Sequence, residues 1–127
     1  VPIQRMTELY NYATGLDMTT EDMLRAGRRI WNMEKVWVTM QGQTRADDYP
    51  PDRIFTEEVV YKRPSEDPQV YPALNRQRYE RILNTYYESE GWDTVTGLPT
   101  SETLQSLRLG WAEKNLVRFK KSQATPS

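Results

Sequence analysis

Three groups of side chains in this sequence are of types that can carry chemistry, and the first is acidic. Asp47, Asp48 and Asp52 lie close together, and hard cations such as Ca²⁺ prefer carboxylate oxygens. The spacing lacks the alternating acids and the glycine of an EF-hand loop, and two prolines interrupt it. We favour the alternative interpretation, in which these carboxylates cap backbone N–H groups and pair with Arg45 and Arg53.

The second candidate is one carboxylate, Glu34, which falls on an apolar helical stripe between Trp31 and Val38. A buried carboxylate at this position would need a charged or hydrogen-bonding partner, and such groups often mark functional sites. The alternative is that Glu34 lies at the edge of the stripe or pairs with an arginine of a neighbouring helix. We favour this second interpretation.

The third candidate is aromatic: Tyr86, Tyr87 and Trp92 fall within seven residues and are followed by Asp93. This group could form a stacking platform for a ligand. Tyrosine and tryptophan at helical spacing are more often anchors of a core or an interface. We therefore favour a packing role.

Several classes of site are excluded by composition. The chain has no Cys and no His, so it offers no thiolate for a metal cluster and neither the commonest general base nor the commonest transition-metal ligand. It also has no glycine-rich phosphate loop and no nucleophile motif. From its residues alone, the sequence predicts a helical domain without chemistry of its own.

Composition also bears on partners and location. Leu, Ile, Val and Phe number only 24 of 127 residues and mean hydropathy is −0.84, so we expect the chain to rely on a partner surface. The net charge of −1 argues against nucleic-acid binding, and no apolar run is long enough for a membrane span. We expect a cytoplasmic protein. Because the chain starts at Val1-Pro2-Ile3 without an initiator Met, we expect it to be either processed or, more simply, a piece of a longer polypeptide.

The periodicity predicts an all-α fold, a multihelical orthogonal bundle with a long irregular, Pro-rich segment over 43–72. We predict one helical domain over 1–127, and no pairing of strands into a sheet, although Val59–Tyr61 could be extended. The predicted helices span about 3–14, 19–41, 76–90, 100–108 and 111–121.

The helix over 19–41 has the clearest start and stop signals. Thr19 with Asp22 three residues later is typical of a capping box, and Gly42 follows the end of the helix. Its apolar stripe includes Met23, Leu24, Ile30 and Trp31, and Gly27 on this stripe predicts a close approach of another helix.

Four blocks of the sequence carry a family resemblance. They are Leu9–Thr19, Gly27–Lys35, Thr44–Arg53 and Tyr86–Thr100. In this order they resemble the stretches "YNAxTGxDxT", "GERIWNLER", "TRKDDxLPxR" and "YYExRGWDxxTGxPT" of the C-terminal region of tungsten-dependent aldehyde:ferredoxin oxidoreductases. The resemblance covers roughly residues 9–109. Two departures stand out: Trp37–Gly42 replaces "FNxREG", and Glu90 replaces the arginine of "RGWD".

The resemblance implies a parent enzyme that oxidises an aldehyde to a carboxylic acid and passes electrons to a ferredoxin-like carrier. It further implies a tungsten or molybdenum bis-pterin cofactor and an iron–sulfur cluster in that parent, with no cofactor, metal or catalytic residue in this chain. The implied partners are the remainder of the parent enzyme or its other subunits, with homo-oligomerisation as a further expectation. The alternative is a standalone, non-catalytic helical protein-binding module.

Eight residues are predicted to support the cofactor-bearing part indirectly or to lie at an interface. They are Glu34, Arg45, Asp47, Asp48, Arg53, Tyr86, Trp92 and Asp93.

Overall fold

The computed structural model describes residues 2–64 and 67–124, which divide into two compact units. Unit 1 comprises residues 2–42 together with 99–124, and unit 2 comprises residues 43–98. None of the helices in the described ranges is long and apolar enough to cross a membrane. Our prediction of one domain over 1–127 stays a prediction.

Unit 1 consists of four helices. They are α1 (Ile3–Thr14), α2 (Thr20–Met40), α5 (Ser101–Ser106) and α6 (Gly110–Ala124). Helix α2 begins at a capping box, in which the Asp22 N–H donates to the Thr19 hydroxyl at 3.1 Å and the Thr19 N–H donates to the Asp22 carboxylate at 3.0 Å. Helix α1 ends at Gly15, whose φ of 71° is in the left-handed region.

The core of unit 1 lies where α2, α5 and α6 meet. Its buried apolar side chains are Val36, Leu104, Leu107, Leu109, Ala112 and Leu116. Two arginines of α2 fix this arrangement, because Arg25 donates to the Ser106 carbonyl at 3.2 Å and Arg29 donates to the Leu107 carbonyl at 2.7 Å. These bonds satisfy carbonyl groups at the C-terminal end of α5, which lack partners inside the helix.

Unit 2 surrounds one longer helix, α4 (Arg76–Glu90). The segment before it contains a 3₁₀ helix (Arg45–Asp48), a one-turn helix α3 (Arg53–Thr56) and strands β1 (Val59–Tyr61) and β2 (Gln69–Tyr71). The strands pair antiparallel with Val60 opposite Val70. Leu83, Tyr87 and Trp92 form the buried cluster of the unit, with Tyr49 and Tyr79 packed against it.

The described residues are mostly helical, as predicted, but the expectation of no paired strands is wrong. Val59-Val60-Tyr61 meets a second short run, Gln69-Val70-Tyr71, and both are rich in the β-branched and aromatic residues that favour strands. The prolines between and after the runs hid this pairing, since they also suit a loop that wraps a neighbour.

A second correction concerns the apolar stripe of α2. Its buried residues are Asn32 and Val36, whereas Leu24, Ile30 and Trp31 are 54%, 58% and 45% exposed. Gly27 is exposed, and a Cβ added there would meet nothing within 4 Å apart from adjacent residues and the backbone of its own helix, so no described helix of this chain makes the close approach predicted at this position. Much of the stripe therefore faces away from the core of this chain.

Candidate functional site

Unit 2 contains a cluster of polar and aromatic side chains around Arg45, Asp48 and Tyr87, here called the Tyr87 cluster. The Arg45 guanidinium donates to the Thr94 carbonyl at 2.5 Å and to the Asn84 side-chain oxygen at 2.8 Å. Its carbon Cζ also lies 5.0 Å from the centre of the Tyr87 ring, within the range of a cation–π contact. Arg45 thus joins the 3₁₀ helix to α4 and to the turn that follows it.

Tyr87 is 1% exposed and its hydroxyl donates to the Asp48 carboxylate. Burial raises the pKa of this phenol well above its usual value, and the hydrogen bond to Asp48 raises the pKa further. Tyr87 is therefore a neutral hydrogen-bond donor over the physiological range of pH. A second tyrosine, Tyr79, donates to the backbone carbonyl of Asp48 at 2.6 Å.

The turn after α4 is held by Asp93. Its carboxylate accepts from the backbone N–H and the hydroxyl of Thr96, both at 2.7 Å. The Asp93 carbonyl accepts from Gly97, and the Asp93 N–H donates to the Leu98 carbonyl. This turn brings the Gly97 backbone against Tyr87: a Cβ at position 97 would lie 2.9 Å from the Tyr87 hydroxyl oxygen.

The aromatic residues of this region pack against one another. The Trp92 ring lies 5.7 Å from the Tyr87 ring and 5.8 Å from the Tyr86 ring, centre to centre. Trp92 is 5% exposed, so its faces are covered by the protein, while Tyr86 is 38% exposed. This geometry supports the predicted packing role over a stacking platform for a ligand.

The structure brings together some of the predicted residues and separates others. Arg45, Asp48 and Trp92 surround Tyr87, and Asp93 shapes the adjoining turn. Asp47 caps the 3₁₀ helix through the Thr44 N–H at 2.7 Å. This agrees with the prediction that an aspartate of the 47–52 stretch caps a backbone N–H group. The prediction that Asp52 pairs with Arg45 or Arg53 is wrong.

Asp52 pairs instead with Arg76 at 2.6 Å, and Arg76 also lies over the Phe55 ring at 4.3 Å. Arg53 is exposed in the short helix α3. Asn84 and Gly97 also belong to the Tyr87 cluster but are not among the residues predicted from the sequence. The position of Asn84 three residues before Tyr87 on α4 was the available signal, because residues at this spacing share a helix face.

Glu34 lies in unit 1, at the rim of an apolar cavity of about 400 Å³ between α2 and α6. Buried Val36 and Ala112 are among its lining residues, as are exposed Trp37 and Trp111, with Met33, Met40 and Asn115 completing the lining. Glu34 is exposed, as expected for the edge of the stripe. The predicted pairing of Glu34 with an arginine of a neighbouring helix is absent from the described part of the chain.

With this geometry established, comparison with known proteins identifies the family. The family model described as "Aldehyde ferredoxin oxidoreductase, domains 2 & 3" matches residues 1–109. The chain belongs to the aldehyde ferredoxin oxidoreductase family. It corresponds to a C-terminal domain of enzymes of this type.

The relatives of this aldehyde ferredoxin oxidoreductase domain are much longer than the chain itself. It is 35% identical over 100 residues to the tungsten-containing aldehyde ferredoxin oxidoreductase of Pyrococcus furiosus, a match covering 79% of this chain and 15% of the relative. The corresponding protein of Thermococcus kodakarensis is 31% identical, with 84% and 16% covered. An aliphatic sulfonate oxidoreductase, WOR-like subunit, of Pyrococcus furiosus is 28% identical, with 93% and 19% covered.

A solved structure shares the fold of this domain. The active site complex BamBC of benzoyl coenzyme A reductase, in complex with 1,5-dienoyl-CoA, superposes with a TM-score of 0.72 at 22% identity. The superposition covers 98% of this chain and 16% of that chain.

The described residues of this domain offer no group of side chains that fits a metal ion. The chain lacks Cys and His, and within residues 2–64 and 67–124 no three acidic side chains are grouped so that they could hold a metal ion. The carboxylate of Asp48 is engaged by Tyr87, and that of Asp47 by the Thr44 N–H. That no cofactor is held by this chain stays a prediction.

Proposed function

We propose that this chain is the structural C-terminal domain of a tungstopterin, iron–sulfur aldehyde:ferredoxin oxidoreductase. In the proposed reaction an aldehyde and water give a carboxylic acid, and two protons and two electrons leave, one electron to each of two ferredoxin molecules. The observation that carries the proposal is the family match over residues 1–109 in a chain that spans 15–16% of the relatives' length.

The role proposed for this domain is mechanical support. The Tyr87 cluster offers no nucleophile, and its one buried acid–phenol pair is internal to unit 2. Residues held in this way fix the shape of a surface on which the cofactor-bearing part of the enzyme can rest. We further place the enzyme in the cytoplasm, where the thiolate ligands of an iron–sulfur cluster stay reduced.

The test is to purify the protein anaerobically through a tag at the end of this chain, and to measure tungsten, iron and aldehyde-dependent dye reduction. We expect tungsten and iron to co-purify with aldehyde oxidation. Recovery of this chain alone, free of metal, would instead favour the standalone binding module.

A variant separates support from catalysis. Arg45→Ala removes both hydrogen bonds and the cation–π contact of the Tyr87 cluster. We expect thermal inactivation to become about tenfold faster, while activity per bound tungsten atom stays within about twofold of the parent. A large loss of activity per tungsten with unchanged inactivation would contradict a purely structural role.

A further inference from the structure

The face of α2 that carries Glu34 exposes more apolar surface than is usual for a helix face in contact with solvent. The residues three and four positions before and after Glu34 on the helix are Ile30, Trp31, Trp37 and Val38, all apolar. Ile30 is 58% and Trp37 is 62% exposed. Contiguous exposed apolar surface of this kind marks an interaction site.

The cavity between α2 and α6 gives this surface a defined shape. Buried Val36 and Ala112 and the large side chains of Trp37 and Trp111 all line it. Trp111 is 54% exposed, so both tryptophans still have much area to bury against a partner. Tryptophans in such positions are typical anchors of protein interfaces.

Among the residues that the structure describes, Glu34 is the one charged side chain in the groove lining. No described residue of the chain donates a hydrogen bond to the Glu34 carboxylate or forms an ion pair with it. An apolar occupant of the cavity would take water away from this carboxylate, at a cost that an opposite charge on the occupant would offset. A surface complementary to this groove is therefore one with a cation beside an apolar side chain.

We propose that the α2–α6 groove, lined by Met33, Glu34, Trp37, Met40, Trp111 and Asn115, is the docking site for a polypeptide segment of the cofactor-bearing part of the enzyme. This segment inserts an apolar side chain between the two tryptophans and places an Arg or Lys against Glu34. The proposal rests on the proposed function, since it takes the partner from the same enzyme.

A second copy of this chain is a poorer occupant. A two-fold contact through the groove would place the same patch on both sides of the interface, so both copies would contribute the Glu34 carboxylate and neither would contribute an opposite charge from the groove lining. Like charges across an apolar interface are destabilising. The length that this chain leaves unmatched in its relatives, over four-fifths of each, supplies ample surface for the segment instead.

The first experiment locates the segment. Trp37 is replaced by the photoreactive residue p-benzoylphenylalanine in the intact enzyme, and the cross-linked peptide is identified by mass spectrometry. The same residue at Glu88, an exposed position of α4, is the control. We expect position 37 to cross-link to a peptide outside residues 1–127 that contains an Arg or Lys next to an apolar residue.

The second experiment tests the ion pair by charge exchange. In the intact enzyme we expect Glu34→Lys to speed thermal inactivation about fivefold and Glu34→Gln to have a smaller effect. Reversing the identified Arg or Lys to Glu should restore the Glu34→Lys enzyme to within about twofold of the parent. Glu88→Lys, a charge reversal at an exposed position of unit 2, should leave the rate unchanged.

Four results would overturn the docking site: no cross-link above the Glu88 control, a cross-link confined to residues 1–127, a cross-linked segment without Arg or Lys, or charge exchange without rescue. Each would leave the proposed function standing if tungsten and aldehyde oxidation are present. An enzyme without tungsten or aldehyde oxidation would contradict the proposed function, whatever the cross-link shows.

Discussion

Tyr87 connects α4 to the 3₁₀ helix that carries Arg45 and Asp48 and to the turn that contains Gly97. Its hydroxyl binds Asp48, its ring lies under Arg45, and Gly97 passes close to its oxygen. Because the side chain is buried and surrounded by these partners, a substitution at any one of them alters the environment of the phenol. Two predictions concern this residue and its neighbour.

Tyr87→Phe tests the raised pKa through alkaline unfolding. The folded phenol keeps its proton at a pH where the unfolded phenol loses it, so the stability that this group contributes is complete below about pH 10 and declines as the pH rises further. We expect the unfolding free energy of the parent to fall more steeply with pH than that of the variant, with a difference in slope that grows through pH 10 towards a limit of about 1.4 kcal/mol per pH unit. Urea titrations between pH 9 and 11 measure this difference, and parallel slopes would contradict it.

Gly97→Ala tests the close approach of the turn to Tyr87. Position 97 has a φ of 72°, and the new Cβ would lie 2.9 Å from an oxygen that cannot easily move. We expect a loss of about 2–3 kcal/mol in unfolding free energy, measured by urea denaturation.

Gly15→Ala is the matched control for Gly97→Ala. Its φ is 71°, nearly the same, but nothing lies within 4 Å of the new Cβ. The control therefore reports the backbone term alone, about 1 kcal/mol. Equal losses at the two positions would show that the contact with Tyr87 is unimportant.

The sequence predicts the types of these groups better than their partners. That Trp92 packs and that an Asp of the 47–52 stretch caps a backbone N–H follow from local chemistry, and both are seen. That Asp52 pairs with Arg76, 24 residues away, depends on how α4 returns to α3, which no local pattern contains. The eight residues predicted to support the cofactor-bearing part are likewise divided by the tertiary fold, since Glu34 lies in unit 1 and the other seven lie in unit 2.

Among the helices, the capping box at the start of α2 gives a testable prediction about the pKa of Asp22. The hydrogen bond from the Thr19 hydroxyl, together with that from the Thr19 backbone, holds the pKa of Asp22 below its usual value. The stabilisation from this group is present above the unfolded pKa and is lost as the pH falls through the folded pKa.

Thr19→Ala should therefore raise the pKa of Asp22 towards its usual value, because the hydroxyl donor is removed. Thr19→Ser keeps this donor and should leave the pKa low. An NMR titration of the Asp22 carboxyl in the three chains measures the shift. An unchanged pKa in Thr19→Ala would show that the box does not act on this carboxylate.

Helices follow from the sequence more closely than the hairpin does. Periodicity and caps place α1 at Ile3–Thr14 and α4 at Arg76–Glu90, the ranges predicted from the pattern. The hairpin needs two three-residue strands to meet across an intervening loop, and each strand alone is too short for a period-2 pattern. Such pairing is set by the surroundings rather than by the run itself.

For the whole molecule, the low content of aliphatic residues goes together with apolar side chains that lie on the surface and not in the core. Trp37, Trp111, Leu24 and Ile30 are all at least half exposed, so a large part of the apolar surface of unit 1 is not used in its own core. The periodicity of the sequence predicts an apolar stripe on α2, but the expectation that this stripe packs in the core of the chain is wrong for Leu24 and Ile30. A stripe that binds a partner has the same period as a stripe that binds the core.

This exposure predicts the behaviour of the 127-residue chain when it is produced alone. We expect it to self-associate reversibly, with the sedimentation coefficient rising as the concentration rises. The reason is that association buries the exposed tryptophans of different copies against one another. Trp37→Lys should shift this association to about tenfold higher concentration, since it removes apolar area and adds charge. A chain that stays monomeric at all concentrations would contradict the expectation.

The division of unit 1 into two stretches of sequence has a consequence for synthesis. The Arg29 bond to Leu107 spans 78 residues, and α2 contacts α6, which is made after unit 2. Unit 2 is contiguous over residues 43–98, so it can fold while the ribosome is still making the remainder. We expect α1 and α2 to wait, with their apolar faces uncovered, until α5 and α6 emerge. The first helices of unit 1 to be made are thus among the last elements of this domain to be buried.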